Sequence, residues 1–336
     1  MDSLTQIALG SAVGHAVMGR QIGRRAILWG AALGTLPDLD VLVPTADAVA
    51  AFTEHRSFSH SLIMMALATP LLVWLARRLH PDTAHLRTRW ALLVFLVLAT
   101  HTLLDALTVY GTQLFWPLTT YPVSGSVIFI IDPLYTLPLL IGVGIALFSR
   151  NVDRGARANT VGLVLSSLYL VWAGGAKWHV EHQVRDYLAR ENIPYERILT
   201  GPGAFNTAIW RILVMDGDTW HEGFYSLLDG QRTPDFTTHT HAPALLNGLD
   251  NDPVVARLRA FTHGFYSVHE EDDLIVLSDL RMGMLGSYSF RFAVAQRDEH
   301  EQIRPQTPPL AMGDGFGSGQ VGWLFRRITD PHAIPR

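Results

Sequence analysis

Leu98-Ala99-Thr100-His101-Thr102-Leu103-Leu104-Asp105-Ala106-Leu107-Thr108-Val109 closes an apolar run that opens at Trp90. A helix needs about 20 mostly apolar residues to cross a hydrocarbon layer, and Trp90–Val109 supplies them. Inside the run, His101 and Asp105 stand four residues apart. They therefore share one helix face, with Cβ atoms roughly 5–6 Å apart. An ionisable group within a span costs about 2.5–3.5 kcal/mol on insertion scales, so two on one face need mutual compensation or a bound cation. This stretch predicts a membrane-embedded helix that carries chemistry.

Working outward, Ala26–Val43, Ser61–Leu79 and Thr160–Trp178 read as further spans, Pro133–Ser149 as a slightly short one, and Leu4–Gly19 as a short, Gly- and Ala-rich one. The last can equally be an arm of a re-entrant hairpin, because small residues let helices approach closely inside a bundle. The expected fold is a polytopic α-helical bundle of about six spans over residues 1–178. Residues 179–336 read as a soluble α+β or mainly β domain. Within it, 179–199 looks helical, Thr207–Met215, Asp273–Leu280 and Ser287–Ala295 look like strands, and 299–320, rich in Pro, Gly and Gln, looks like a loop.

Composition agrees. The chain of 336 residues is 49% hydrophobic and only 17% charged, against about 25% charged in soluble proteins. The net charge of −4 argues against nucleic acid as a partner, and membrane lipid is the expected one. There is no cysteine, so any metal is held by His and carboxylates. Met1-Asp2-Ser3 lacks a basic leader, so no cleavable signal peptide is expected.

Basic residues mark the linkers expected in the cytoplasm: Arg20, Arg24 and Arg25; Arg77, Arg78, Arg87 and Arg89; Arg150, Arg154 and Arg157. The alternate linkers hold Arg56 alone (44–59) or no basic residue (110–132). Six crossings on this pattern put the C-terminal domain outside the inner membrane. They also bring Asp38, Asp40, His55, His60, His101, Asp105 and Asp132 to the outer side, although none of these entered the charge count. Imidazole and carboxylate together suit Zn²⁺ first, then Mn²⁺ or Fe²⁺, over Ca²⁺. Asp38, His60, His101 and Asp105 are the candidate ligands. Asp40 and His55 are further ligands or the acid/base, and Arg56 can bind an anionic group such as phosphate. Each also has a structural reading. Asp132 before Pro133 suits a helix N-cap, Asp40 a solvated helix end, His55 a loop residue, Arg56 an interface anchor, and His15 a hydrogen bonder within the bundle. His239-Thr240-His241 can chelate on a strand but suits a polar loop.

At these residues the chain resembles the YdjM-like membrane-bound metal-dependent hydrolases of bacteria. The resemblance rests on Met1-Asp2-Ser3-Leu4-Thr5, Leu36-Pro37-Asp38-Leu39-Asp40, His55-Arg56-Ser57-Phe58-Ser59-His60-Ser61 and His101 through Thr108. Gly111 and Trp116-Pro117-Leu118 extend it. It covers residues 1–150 and, more weakly, Asn206–Trp210 and Tyr225–Asp229. Many relatives carry His where this chain has Gln6. The resemblance implies hydrolysis at a divalent metal, and the interfacial position suggests a lipid-like or phosphoester substrate. The alternative is non-catalytic: a structural metal site or a cation path, with the outer domain binding a partner. Transport would spread ionisable groups through the membrane depth, whereas these gather at one side.

Overall fold

The computed structural model describes residues 1–230, 234–313 and 318–333, which form two compact units. The first comprises Met1–Val43 and His55–Gly174, the second Pro44–Glu54 and Gly175–Arg336.

In the first unit, α1 (Ser3–Ile22) and α2 (Arg24–Thr35) form a hairpin turned at Gly23. Asp2 caps α1 by accepting the Thr5 N–H. The two helices touch backbone to backbone along Gly10, Gly14, Gly30 and Gly34: a Cβ on Gly30 would sit 2.1 Å from the Gly10 carbonyl oxygen. α2 stops at Thr35, and a 3₁₀ turn, Pro37–Leu42, follows: Leu36 keeps helical angles, φ −57° and ψ −43°, but Pro37 has no N–H to continue the α-helical ladder.

Beyond α3 (Ala48–Glu54), which belongs to the second unit, come a 3₁₀ turn at Phe58–His60, α4 (Leu62–Leu79), α5 (Arg87–Ala106), α6 (Pro133–Phe148) and α7 (Val152–Arg190). Ser61 caps α4 and Asp132 caps α6. On α5, Trp90, Leu93, Val94, Val97, His101 and Asp105 are wholly buried. Their spacing of three and four is one stripe of a 3.6-residue helix. α4 turns Leu67, Leu71 and Trp74 outward with more than half their surface exposed, an apolar face suited to lipid.

Among the described residues α4, α5 and α7 are long and apolar enough to cross a membrane, and α6 is a shorter apolar helix. The expectation of about six spans is therefore corrected to up to three candidates. The expected span Ala26–Val43 fails because α2 has 12 residues, about 18 Å at 1.5 Å per residue. α1 has the length, but Thr5, Gln6, Ser11 and His15 are buried along it, and they dilute its hydropathy.

In the second unit the C-terminal part of α7 covers an antiparallel sheet of β1 (Arg197–Pro202), β2 (Ile209–Asp216), β3 (Thr219–Ser226) and β4 (Asp235–Thr240), in that order. Trp210, Ile212 and Val214 of β2 face Val180, Val184 and Leu188 of the helix. Leu213 and Met215 point the other way, toward Phe265 and Leu280, the period-2 alternation of a strand buried on both faces. A helix α8 (Pro253–Phe261) precedes β5 (Tyr266–Glu271) and β6 (Leu274–Asp279). A short hairpin, β7 (Gly283–Met284) with β8 (Ser287–Tyr288), leads to β9 (Arg291–Arg297), β10 (Ile303–Ala311) and α9 (Ser318–Thr329). The second sheet runs β10-β9-β6-β5.

The loop expected over 299–320 is corrected: Ile303–Ala311 is an edge strand, its register broken between Pro305 and Leu310. An edge with a bulge is where a sheet tolerates proline. Residues 314–317 of that expected loop lie outside the described residues. The short α3 is held in this unit by Phe52, stacked on Phe290 at 4.3 Å and edge-on to Phe261 at 4.8 Å.

Candidate metal centre

Three local structures of the first unit deliver the site. The 3₁₀ turn after α2 carries Asp38, the 3₁₀ turn before α4 ends at His60, and the last turns of α5 carry His101 and Asp105. One donor atom from each of these four residues lies within 4.8 Å of all the others. His60 Nε2 is 3.2 Å from His101 Nε2, 3.3 Å from Asp38 Oδ1 and 3.2 Å from Asp105 Oδ2. His101 Nε2 is 3.5 Å from Asp38 Oδ1 and 3.4 Å from Asp105 Oδ2. Tetrahedral ligands on bonds of about 2.0–2.1 Å are separated by about 3.3–3.4 Å, so five of the six edges have the dimensions of a coordination shell.

Tautomers follow from the far side of each ring. His101 Nδ1 lies 2.7 Å from the Gly34 carbonyl oxygen, which only accepts, so Nδ1 carries the proton. His60 Nδ1 lies 2.9 Å from Ser59 Oγ, and Ser59 donates its hydroxyl to Asp40 Oδ2 at 2.8 Å. Ser59 must then accept from His60 Nδ1. With Nδ1 engaged on each ring, both Nε2 atoms turn toward each other and toward two carboxylate oxygens. Asp105 Oδ2 has no hydrogen-bond partner although wholly buried. Four nitrogen and oxygen atoms converging in this way could hold a divalent cation.

A surrounding layer holds the donors. Asp105 Oδ1 accepts from the Met1 amine and, at 3.1 Å, from Gln6 Nε2. Thr102 donates to the His60 carbonyl. Thr108 donates to the Asp105 carbonyl at 2.7 Å and accepts from Arg56 Nη1 at 3.2 Å. Arg56 Nε lies 3.4 Å from Asp105 Oδ2, and the guanidinium rests 5.0 Å above the Tyr110 ring.

Asp38, His60, His101 and Asp105 come together; the other candidates do not join them as donors. Asp40 lies behind His60, its carboxylate taken by His55 Nδ1 at 2.9 Å, the Arg56 N–H at 3.0 Å and Ser59. Burial opposes ionising Asp40, but the hydrogen bonds from His55 and the Arg56 backbone outweigh it and hold its carboxyl below the usual range. His55, partly exposed, has its ring 5.9 Å from that of His60. Asp132 accepts from the Leu134 and Tyr135 N–H groups and from the Tyr169 hydroxyl, as a helix cap does. His15 is buried on α1 outside the set. His239 lies on β4, stacked 4.1 Å from Trp220, and His241 Nε2 bonds the Gly217 carbonyl oxygen.

Sequence reasoning missed Ser59 and Gly34. Ser59 was visible inside the His55–His60 motif; a backbone carbonyl such as that of Gly34 leaves no residue-type signal.

The sequence model of the family described as YdjM inner membrane protein matches residues 1–180. The chain belongs to that family. All four donors, and the Asp40–His55–Ser59 group behind them, lie inside the YdjM match. Comparison with curated proteins and with solved structures finds no match.

Proposed function

We propose that this YdjM family member is a multi-pass membrane hydrolase whose divalent metal is held by Asp38, His60, His101 and Asp105 at the outer face. On this reading it acts on a lipid-like or phosphoester substrate. The observation that carries the proposal is the convergence of four His and Asp donor atoms, five of whose six separations lie between 3.2 and 3.5 Å. When bound, Zn²⁺, Mn²⁺ or Fe²⁺ supplies Lewis acidity and brings the pKa of a water molecule toward about 7. The protein's own residues do the rest. Asp38, with 22% of its side chain exposed against none for the other three, is the donor nearest an entry path. Asp40 fixes the His55 ring through Nδ1, leaving Nε2 of that partly exposed imidazole to hold or pass a proton. Arg56 faces the set to bind an oxyanion.

The orientation is supported by the helices themselves. His60 precedes α4 while Arg77 and Arg78 end it; Arg87 and Arg89 open α5 while His101 and Asp105 lie near its end. From Arg87 to His101 the helix rises about 21 Å, so basic residues and donors sit at opposite ends. The positive-inside rule then faces the donors outward and, with the shorter apolar helix α6 crossing as a fourth span in our reading, puts the C-terminal unit outside the cytoplasm.

A second reading is favoured by the donor count: four protein ligands close a shell, as structural sites do. The experiment covers both. The purified protein is assayed for bound metal and for hydrolysis of phosphate diesters, beside His101→Ala. Metal in the parent and loss in the variant are expected; unchanged stoichiometry rejects His101 as a ligand. Metal without exchange of a coordinated solvent molecule would favour the staple.

A further inference from the structure

Arg56 is a buried cation held in a backbone conformation that costs stability. It is 3% exposed and its φ is +62°, the left-handed region that a non-glycine residue enters at a cost. Two hydrogen bonds pin that backbone: its N–H to Asp40 Oδ2 and its carbonyl oxygen from the Gln113 N–H, each at 3.0 Å.

The side chain so placed is under-used. A guanidinium has five N–H donors. Here Nη1 donates to the neutral Thr108 hydroxyl at 3.2 Å, and Nε, buried, has no hydrogen-bond partner. The anion beside it, Asp105 Oδ2 at 3.4 Å, belongs to the metal-donor set. A divalent ion balances the charges of Asp38 and Asp105, and Arg56 is then a buried cation whose neighbouring carboxylate is already committed. Asp40, engaged by His55 and Ser59, does not replace it.

We propose that Arg56 is a phosphoryl-oxyanion subsite and that the substrate is a phosphate ester rather than a carboxylic ester or an amide. This rests on the metal reading above. A neutral ester or amide leaves the guanidinium unpaired in a buried site, which is unfavourable. A phosphoryl group brings charge and matches the planar fork of donors with two oxygens. The phosphoryl group can be that of a membrane lipid headgroup or of a soluble phosphate ester; the chemistry at Arg56 is the same.

The test uses the full chain in neutral detergent, stripped of metal and reloaded with zinc. Inorganic phosphate, dihexanoylphosphatidylglycerol and the phosphate-free dihexanoylglycerol are titrated separately by calorimetry. Phosphate or the phospholipid is expected to bind the zinc-loaded protein and not the stripped one. Arg56→Ala should weaken that binding about 30-fold or more, and Arg56→Lys, which keeps the charge without the fork, should weaken it less. Binding of the phospholipid alone names a headgroup as the source; binding of phosphate names a soluble ester. Either result supports the subsite.

Equal affinity in parent and Arg56→Ala, or preference for dihexanoylglycerol, overturns it while leaving the metal reading intact. If both variants lose zinc as well as phosphate, Arg56 serves Asp105 and the subsite falls. Failure of the parent to take up zinc removes the metal reading and this proposal together.

Discussion

Gly30→Ala tests whether the hairpin of α1 and α2 sets the geometry of the metal donors. The new Cβ would meet the Gly10 carbonyl oxygen at 2.1 Å, the Gly10 carbonyl carbon at 2.6 Å and Ser11 Cα at 2.8 Å. All three are backbone atoms, so no rotamer change relieves the clash. Reaching the 3.4 Å of ordinary contact opens the helix pair by about 1.3 Å, at the ~1–3 kcal/mol typical of overpacking. One turn beyond Gly30, the Gly34 carbonyl holds the His101 tautomer at 2.7 Å, and four residues further Asp38 supplies a donor. Metal sites tolerate about 0.2 Å in ligand distance, so a shift of this size separates Asp38 from the histidines. We expect helicity by circular dichroism to survive and zinc affinity, measured by competition with a chelator, to fall about 100-fold, the upper end of outer-shell losses. Gly144→Ala on α6, whose Cβ meets nothing within 4 Å, is the matched control and should keep parental affinity. Parental affinity in Gly30→Ala would refute the reasoning: either Asp38 is not a donor or the hairpin does not position it.

Ser59→Ala removes the hydroxyl that ties the His60 tautomer to Asp40 and should weaken zinc binding about 10–100-fold, whereas Ser59→Thr should stay within a few-fold of the parent. Equal affinities in all three proteins would show that His60 needs no such anchor. In the second unit, burial beside Trp220, aided by the Arg211 charge, lowers the pKa of His239 below the ordinary 6.5, so the folded state keeps this ring neutral where the unfolded chain would protonate it. The associated stability is whole above pH 6.5 and drains as pH falls from there through the folded value. Histidine NMR of the full chain should give a midpoint under 6.5, and one at or above 6.5 would contradict this.

The helical half was legible where periodicity and length agreed. α4, α5 and α7 follow from apolar runs long enough to cross a bilayer, and the buried stripe on α5 from its spacing. Legibility ended where backbone chemistry overrode hydropathy. Ala26–Val43 is apolar apart from Thr35, Asp38 and Asp40, but Pro37 ends the helix at Thr35 and Gly30 and Gly34 commit it to α1, so apolarity there reflects helix contact as well as lipid. Residues 299–320 failed in the opposite direction: their prolines suggested a loop, yet an edge strand needs few N–H donors on its open side. Pro44–Glu54 gave no sign that it belongs with the second unit, because Phe52 finds Phe261, Phe290 and Phe292 across some 200 residues of chain, and no local pattern encodes that meeting.

The site divides along the same line. His101 and Asp105 share a face because i and i+4 must do so on an α-helix. Asp38 and Asp40 occupy a 3₁₀ turn, where each residue advances about 120°. Two positions then rotate the side chain about 240°, so the two carboxylates cannot both face α5. Asp38 turns to His60 Nε2 and His101 Nε2; Asp40 turns to His55 and Ser59 on the other side of the His60 ring. The motif that looks like a doubled ligand therefore splits: one carboxylate joins the set that could hold a cation, and the other anchors, through Ser59, the histidine that faces it. Exchanging the two, as Asp38→Asn against Asp40→Asn, should separate direct loss of a donor from loss of the anchor, since only the second leaves four donor residues in place.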